Sequence, residues 1–170
     1  MRLSHDLFAA VVAAVLASTA LAACGAEGPA ATPPIRAGSS AMPREVNVIL
    51  KDWVFLPDPV DLVPGETVVL HVVNGGLEVH ELVIGDQAVQ DAWEVAEAAN
   101  ADPPPGPTPP VSVAPGVAGI RIVVASGQRI DLTWTVPGQA TLSGLIIGCH
   151  IPGHWAKGMR AAIRIATPGT

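Results

Sequence analysis

From residue 44 onward the hydrophobic residues arrive in short alternating runs, each stopped by proline or glycine, and this pattern restricts the chain to short extended elements joined by turns. Val46, Val48 and Leu50 alternate with Glu45, Asn47, Ile49 and Lys51, predicting a half-buried strand that continues toward Trp53 and Phe55 until Pro57 stops it. Pro64-Gly65 turns the chain. Val68, Leu70 and Val72 then share one face, and Val69, His71 and Val73 the other, which places His71 in solvent. After Asn74-Gly75-Gly76 a short strand, Leu82-Val83-Ile84, starts just past His80 and closes at Gly85-Asp86. Further strands are expected at 111–113, 120–124, 130–136, 141–147 and 161–165. One segment changes period: Val89, Trp93 and Ala96 fall at i, i+4 and i+7 within 87–100, an amphipathic helix that Trp93 fastens to the rest. The run PPPGPTPP at 103–110 follows as an extended exposed loop. With 17 prolines, 17 glycines and only four Trp, two Phe and no Tyr, the chain reads as all-β. About seven or eight short strands between turn signals fit a sandwich or Greek-key barrel.

The first 43 residues are of another kind. Arg2 and His5 precede an apolar run over 7–20, too short to span a bilayer, so 1–23 reads as a secretory signal. Its ending, Leu21-Ala22-Ala23-Cys24, resembles a bacterial lipobox. That resemblance implies a lipid on Cys24 and a protein exported and anchored at the outer face of a bacterial membrane; ordinary cleavage near Ala23 is the alternative. Residues 24–43, rich in Ala, Gly, Pro and Ser, read as a flexible tether to a domain over 44–168. Nine Lys and Arg against fifteen Asp and Glu give a net charge of -6, the wrong sign for a nucleic-acid partner.

The chemistry-bearing residues gather near the C-terminus. GCHIPGHWAKGM at 148–159 places Cys149, His154 and Met159 at C-x4-H-x4-M spacing in a loop that Pro152-Gly153 folds back. His80, after a Gly-Gly turn, supplies a second imidazole. One thiolate, two imidazoles and a thioether form the ligand set of a blue-copper site. His150, next to Cys149, is expected to point away from the metal. A zinc site is the other metal reading, disfavoured by the thioether.

The same segment resembles the copper loop of the cupredoxins, the plastocyanin and azurin superfamily. The likeness extends to the opening strand, to Gly65-Glu66-Thr67-Val68, to NGGLEVHELVI at 74–84 and to LTWTV at 132–136. It implies a cupredoxin-like antiparallel Greek-key β-sandwich with one short helix in an insertion, one type 1 copper ion held by His80, Cys149, His154 and Met159, and an electron-transfer port at His154 rimmed by Pro152 and Trp155. Glu81 stands where many cupredoxins have Asn.

The implied function is a monomeric, membrane-anchored one-electron carrier that meets redox partner proteins transiently, with Lys157, Arg160 and Arg164 facing a partner's acidic rim. A copper-binding protein for buffering, delivery or resistance is the alternative. Enzymatic readings fail by counting. Multicopper oxidases resemble this loop, but Gly148 replaces their His before the cysteine, and their trinuclear cluster needs more histidines than the five here, one of which, His5, leaves with the signal. A dinuclear copper A centre needs a second cysteine in the loop, and a copper nitrite reductase a second domain. The chain is therefore expected not to be an enzyme.

Overall fold

The computed structural model describes residues 34–99, 101 and 111–169. The signal segment 1–23, Cys24, the first part of the tether and the PPPGPTPP loop lie outside the described residues. Among the described residues nine strands form two sheets. β1 (Arg44–Lys51), β2 (Val54–Leu56), β4 (Thr67–Asn74) and β7 (Arg129–Thr135) lie in the order β2-β1-β4-β7. β3 (Val60–Leu62), β5 (His80–Gly85), β6 (Ile120–Val124), β8 (Ile146–Gly148) and β9 (Arg160–Ile165) lie in the order β3-β9-β8-β5-β6. The inward residues of both sheets meet in one core that includes Val48, Leu50, Phe55, Leu70, Leu82 and Ile147, the layered arrangement of a β-sandwich.

Pairing is mixed. β1 runs parallel to β4, and β3 parallel to β9, while the other pairs are antiparallel. The parallel pair β1–β4 is possible because the intervening chain passes through β2 and β3, long enough for a crossover that a hairpin could not make.

Several elements depart from the linear pattern for physical reasons. The opening strand does not run on through Phe55: Asp52 and Trp53 turn the chain, and β2 pairs back on β1 with Leu50 opposite Phe55. The same alternation fits one long strand or a tight hairpin, and only pairing tells them apart. Residues 141–147 are not a single strand either; a helical turn, α2 (Gln139–Leu142), buries Leu142 completely, and only β8 is extended. Residues 111–113 are irregular, with Val111 and Val113 packed beside Val83, Val89 and Trp93.

The predicted helix is α1 (Gln87–Ala98), capped by Asp86, whose carboxylate accepts the Val89 N–H. Trp93 does fasten it, donating from Nε1 to the Ala118 carbonyl at 2.9 Å. Its inner stripe ends on Glu97 rather than Ala96, because Arg121 meets that carboxylate at 2.6 Å. Residues 34–43 run against the sandwich: Gly38 N–H donates to Glu66, and the Gly38 carbonyl accepts from Thr67 N–H. Contacts of the domain thus begin before Arg44.

His71 is a correction. It lies on the outer face of β4 as the alternation requires, yet it is 8% exposed because Asp131 and Arg129 of β7 fold over it, Asp131 Oδ1 lying 2.8 Å from its Nδ1. The hydrogen bond from Arg129, and then that with His71, hold the Asp131 carboxyl down at about 2, from an ordinary 3.8. A depressed folded-state value stabilises the fold above the unfolded value and is lost as pH falls through the folded one. Wild type should therefore lose stability on acidification between about pH 4 and pH 2 more steeply than Asp131→Asn, as read from urea midpoints across that range; equal slopes would disprove the contribution.

Candidate metal centre

Three neighbouring strands carry donors to one end of the sandwich. β5 is antiparallel to β8, with Val83 opposite Gly148, and β8 to β9, with Gly148 opposite Arg160. The first residue of β5, the residue after β8 and the residue before β9 are therefore neighbours: His80, Cys149 and Met159. The Cys149 N–H donates to the Met159 carbonyl at 3.1 Å, closing this register. The loop between them folds over the end in consecutive turns, with Gly153 at φ 86° and Gly158 at φ 89°, where a side chain would be strained. The Met159 N–H donates to the His154 carbonyl at 3.1 Å, and Lys157 caps the Trp53 ring at 3.6 Å, tying the loop to the β1–β2 turn.

The ligating atoms of His80, Cys149 and His154 lie within 4.8 Å of one another, and all three residues are buried. Among the described residues no other trio of His, Cys, Asp or Glu meets this closeness. His80 Nδ1 is 3.2 Å from His154 Nδ1, and Cys149 Sγ is 3.3 Å from the same nitrogen. Met159 is fully buried in the same core cluster as Cys149. Cys149 is a free thiol; burial pushes it up to about 12, only partly offset by the N–H groups of Glu81 and Ile151. Any cation held there must displace that proton. A sulfur, two imidazole nitrogens and a thioether are soft and borderline donors, a set that fits copper and not a hard cation.

No protein-family model matches the chain. It is 32% identical over 166 residues to the copper-resistant cuproprotein CopI of Rubrivivax gelatinosus, covering 87% of this chain and 88% of that protein. The chain belongs to the CopI cuproprotein family. CopI of Pseudomonas aeruginosa is 27% identical over 171 residues, covering 88% of this chain and 90% of its own. Solved structures with the same fold include a dithionite-reduced auracyanin of Roseiflexus castenholzii, at TM-score 0.56 and 17% identity over 76% of this chain and all of that one. An azurin of Methylomonas sp. strain J gives TM-score 0.53 and 18% identity over 73% of this chain and 98% of its own. The fold is thus that of a cupredoxin.

Around the trio, this CopI relative carries groups that linear reading did not find. Glu81, noted only as a departure from Asn, is fully buried. Its backbone N–H points at Cys149 Sγ at 3.5 Å, one carboxylate oxygen accepts the His150 N–H at 2.9 Å, and the other meets Arg121 at 2.6 Å. Arg121 also binds Glu97 and lies over the Trp93 ring at 4.5 Å, so α1 and the cysteine loop share one part-buried ion cluster. Burial, reinforced by Glu81, pushes the Glu97 carboxyl upward despite Arg121.

His150 points away from the trio, as expected: its ring lies between Glu94 and Gln90 of α1, at 2.9 and 2.7 Å, and stacks on Trp155. This filled space explains Gly148. A Cβ there would lie 2.4 Å from the Gln90 side-chain oxygen and 2.7 Å from Trp155, so no histidine fits before the cysteine. Pro152 is exposed, Trp155 half-buried, and His154 only 3% exposed. Of the three cations near the loop, Lys157 and Arg160 lie over Trp53 and Trp155, and Arg164 pairs with Asp61.

Glu81→Ala would leave the His150 N–H without its acceptor and Arg121 with a single carboxylate. The expected loss is on the order of 2 kcal/mol of unfolding free energy, since a buried N–H is left without its acceptor. A denaturant midpoint equal to wild type would refute this role for Glu81.

Proposed function

We propose that this protein is an exported copper-binding cupredoxin that works in copper resistance by holding one copper ion at His80, Cys149 and His154, with Met159 as the thioether donor. The observation that carries this reading is the buried trio, its ligating atoms within 4.8 Å, in a chain whose relatives are named copper-resistant cuproproteins. Bound there, copper would supply a Cu(I)/Cu(II) couple and, as Cu(II), an intense thiolate absorption. The protein's part is to keep water from the donors, hold the two imidazoles toward the sulfur and release the Cys149 proton.

One-electron transfer to a docking protein is the second reading. It is favoured by the exposed Leu77 and Val79, 88% and 46% accessible, which flank Glu78 at the outer edge of His154. In either case the protein is proposed to act as a monomer and not as an enzyme.

Cu(II) loading should give an intense visible band in wild type and none in Cys149→Ser, which keeps its fold; a coloured variant would refute the ligand assignment. With the loaded protein, copper handling predicts that a chelator strips the metal faster than a small reductant bleaches the band. Bleaching that outpaces stripping would favour the electron carrier instead.

Export and anchoring are proposed from the first 24 residues. No described helix is long and apolar enough to cross a membrane. A labelled fatty acid supplied to cells should be incorporated into wild type and not into Cys24→Ala, followed by immunoprecipitation; no label in wild type would count against a lipid on Cys24.

A further inference from the structure

Each imidazole of the trio ends, on its outer side, at a carboxylate. His80 Nε2 lies 2.7 Å from Asp52 Oδ1, and His154 Nε2 lies 2.9 Å from Glu78 Oε2. An ionised carboxylate only accepts, so each Nε2 carries a hydrogen, and a neutral ring then presents a bare lone pair at Nδ1. Those are the two nitrogens that face each other at 3.2 Å.

The two carboxylates are built differently. Asp52 sits in the β1–β2 turn with its side chain 26% exposed. The Leu77 N–H reaches both of its oxygens, at 3.0 and 3.2 Å, and the Glu78 N–H reaches Oδ1 at 3.4 Å. The backbone closes tightly over the pair: a Cβ at Gly76 would lie 2.4 Å from Asp52 Oδ1 and 2.9 Å from His80 Nε2. Glu78, in the β4–β5 loop, is 51% exposed and reaches His154 from the solvent side.

We propose that Asp52 and Glu78 are positioning residues that turn both imidazoles Nδ1-inward and whose negative charge favours Cu(II) over Cu(I), Asp52 more than Glu78. The difference follows from accessibility and anchoring, because water screens the half-exposed Glu78 charge more than the Asp52 charge, which is a quarter exposed and held by two backbone N–H groups. Outer partners of this kind fix ring orientation and raise ligand basicity. This inference rests on the reading that the trio holds copper, but its first consequence concerns the metal-free protein.

The test uses the full chain and the variants Asp52→Ala, Asp52→Asn and Glu78→Gln. In apo wild type, long-range proton–nitrogen NMR should find His80 in a single Nε2–H tautomer. In Asp52→Ala that tautomer should be mixed, and Cu(II) affinity by competition titration should fall roughly 10- to 100-fold. Asp52→Asn keeps an oxygen acceptor without the charge. It should restore the tautomer and much of the affinity while the midpoint potential still rises above wild type, a separation that a purely structural role would not produce. Glu78→Gln should raise the potential less than Asp52→Asn. An Asp52→Ala protein with the wild-type tautomer, affinity and potential would overturn the inference. A wild type that binds no copper but shows the expected tautomers would sink the copper reading and leave the positioning intact.

Discussion

Everything at the metal end of this sandwich depends on the register of a three-residue strand. β8 contributes only Ile146, Ile147 and Gly148, yet it is bonded on one side to β5 and on the other to β9. Because side chains alternate along a strand, a slip of one residue on either side would turn His80 or Met159 away from Cys149. Register is held from both sides: Ile147 is buried in the core, and the Cys149 N–H closes on the Met159 carbonyl beyond the strand's end. The site is an extension of sheet pairing, and its precision is inherited from the ladder.

A second constraint comes from the insertion between β5 and β6. α1 brings Glu97, Gln90 and Glu94 against residues of the sheet that lie behind the trio, and Glu81 joins that cluster to the His150 N–H. Burying so many polar groups is costly unless each is paired. Here the pairing converges on the residue next to Cys149, so the cost is met by contacts that also fix the cysteine loop. The position after His80, occupied by Asn in many cupredoxins, thus serves a tethering role here through a carboxylate that needs Arg121 to be tolerated.

The sequence was legible where chemistry and spacing were local. C-x4-H-x4-M in a Pro/Gly loop marked Cys149, His154 and Met159, and the alternation over 68–73 matched the buried Val68, Leu70 and Val72. It was misleading where one pattern fits two structures. The alternation over 46–55 concealed the turn at Asp52, and with it the carboxylate beside His80. The apolar residues of 141–147 read as a strand although Leu142 is buried from a helical turn. His71 followed the alternation faithfully, but its burial came from side chains of β7 that lie 58 and 60 residues further along.

By itself the sequence determined the class of the fold, the kinds of donor available and the loop that carries most of them, because those depend on residue type and short-range period. The tertiary structure decided which atoms meet. Asp52 is 28 residues from His80, Glu78 is 76 from His154, and Glu81 is 69 from His150. Such pairs leave no periodic trace in the chain, since what brings them together is the pairing of strands and the closing of turns, and only the folded backbone specifies that.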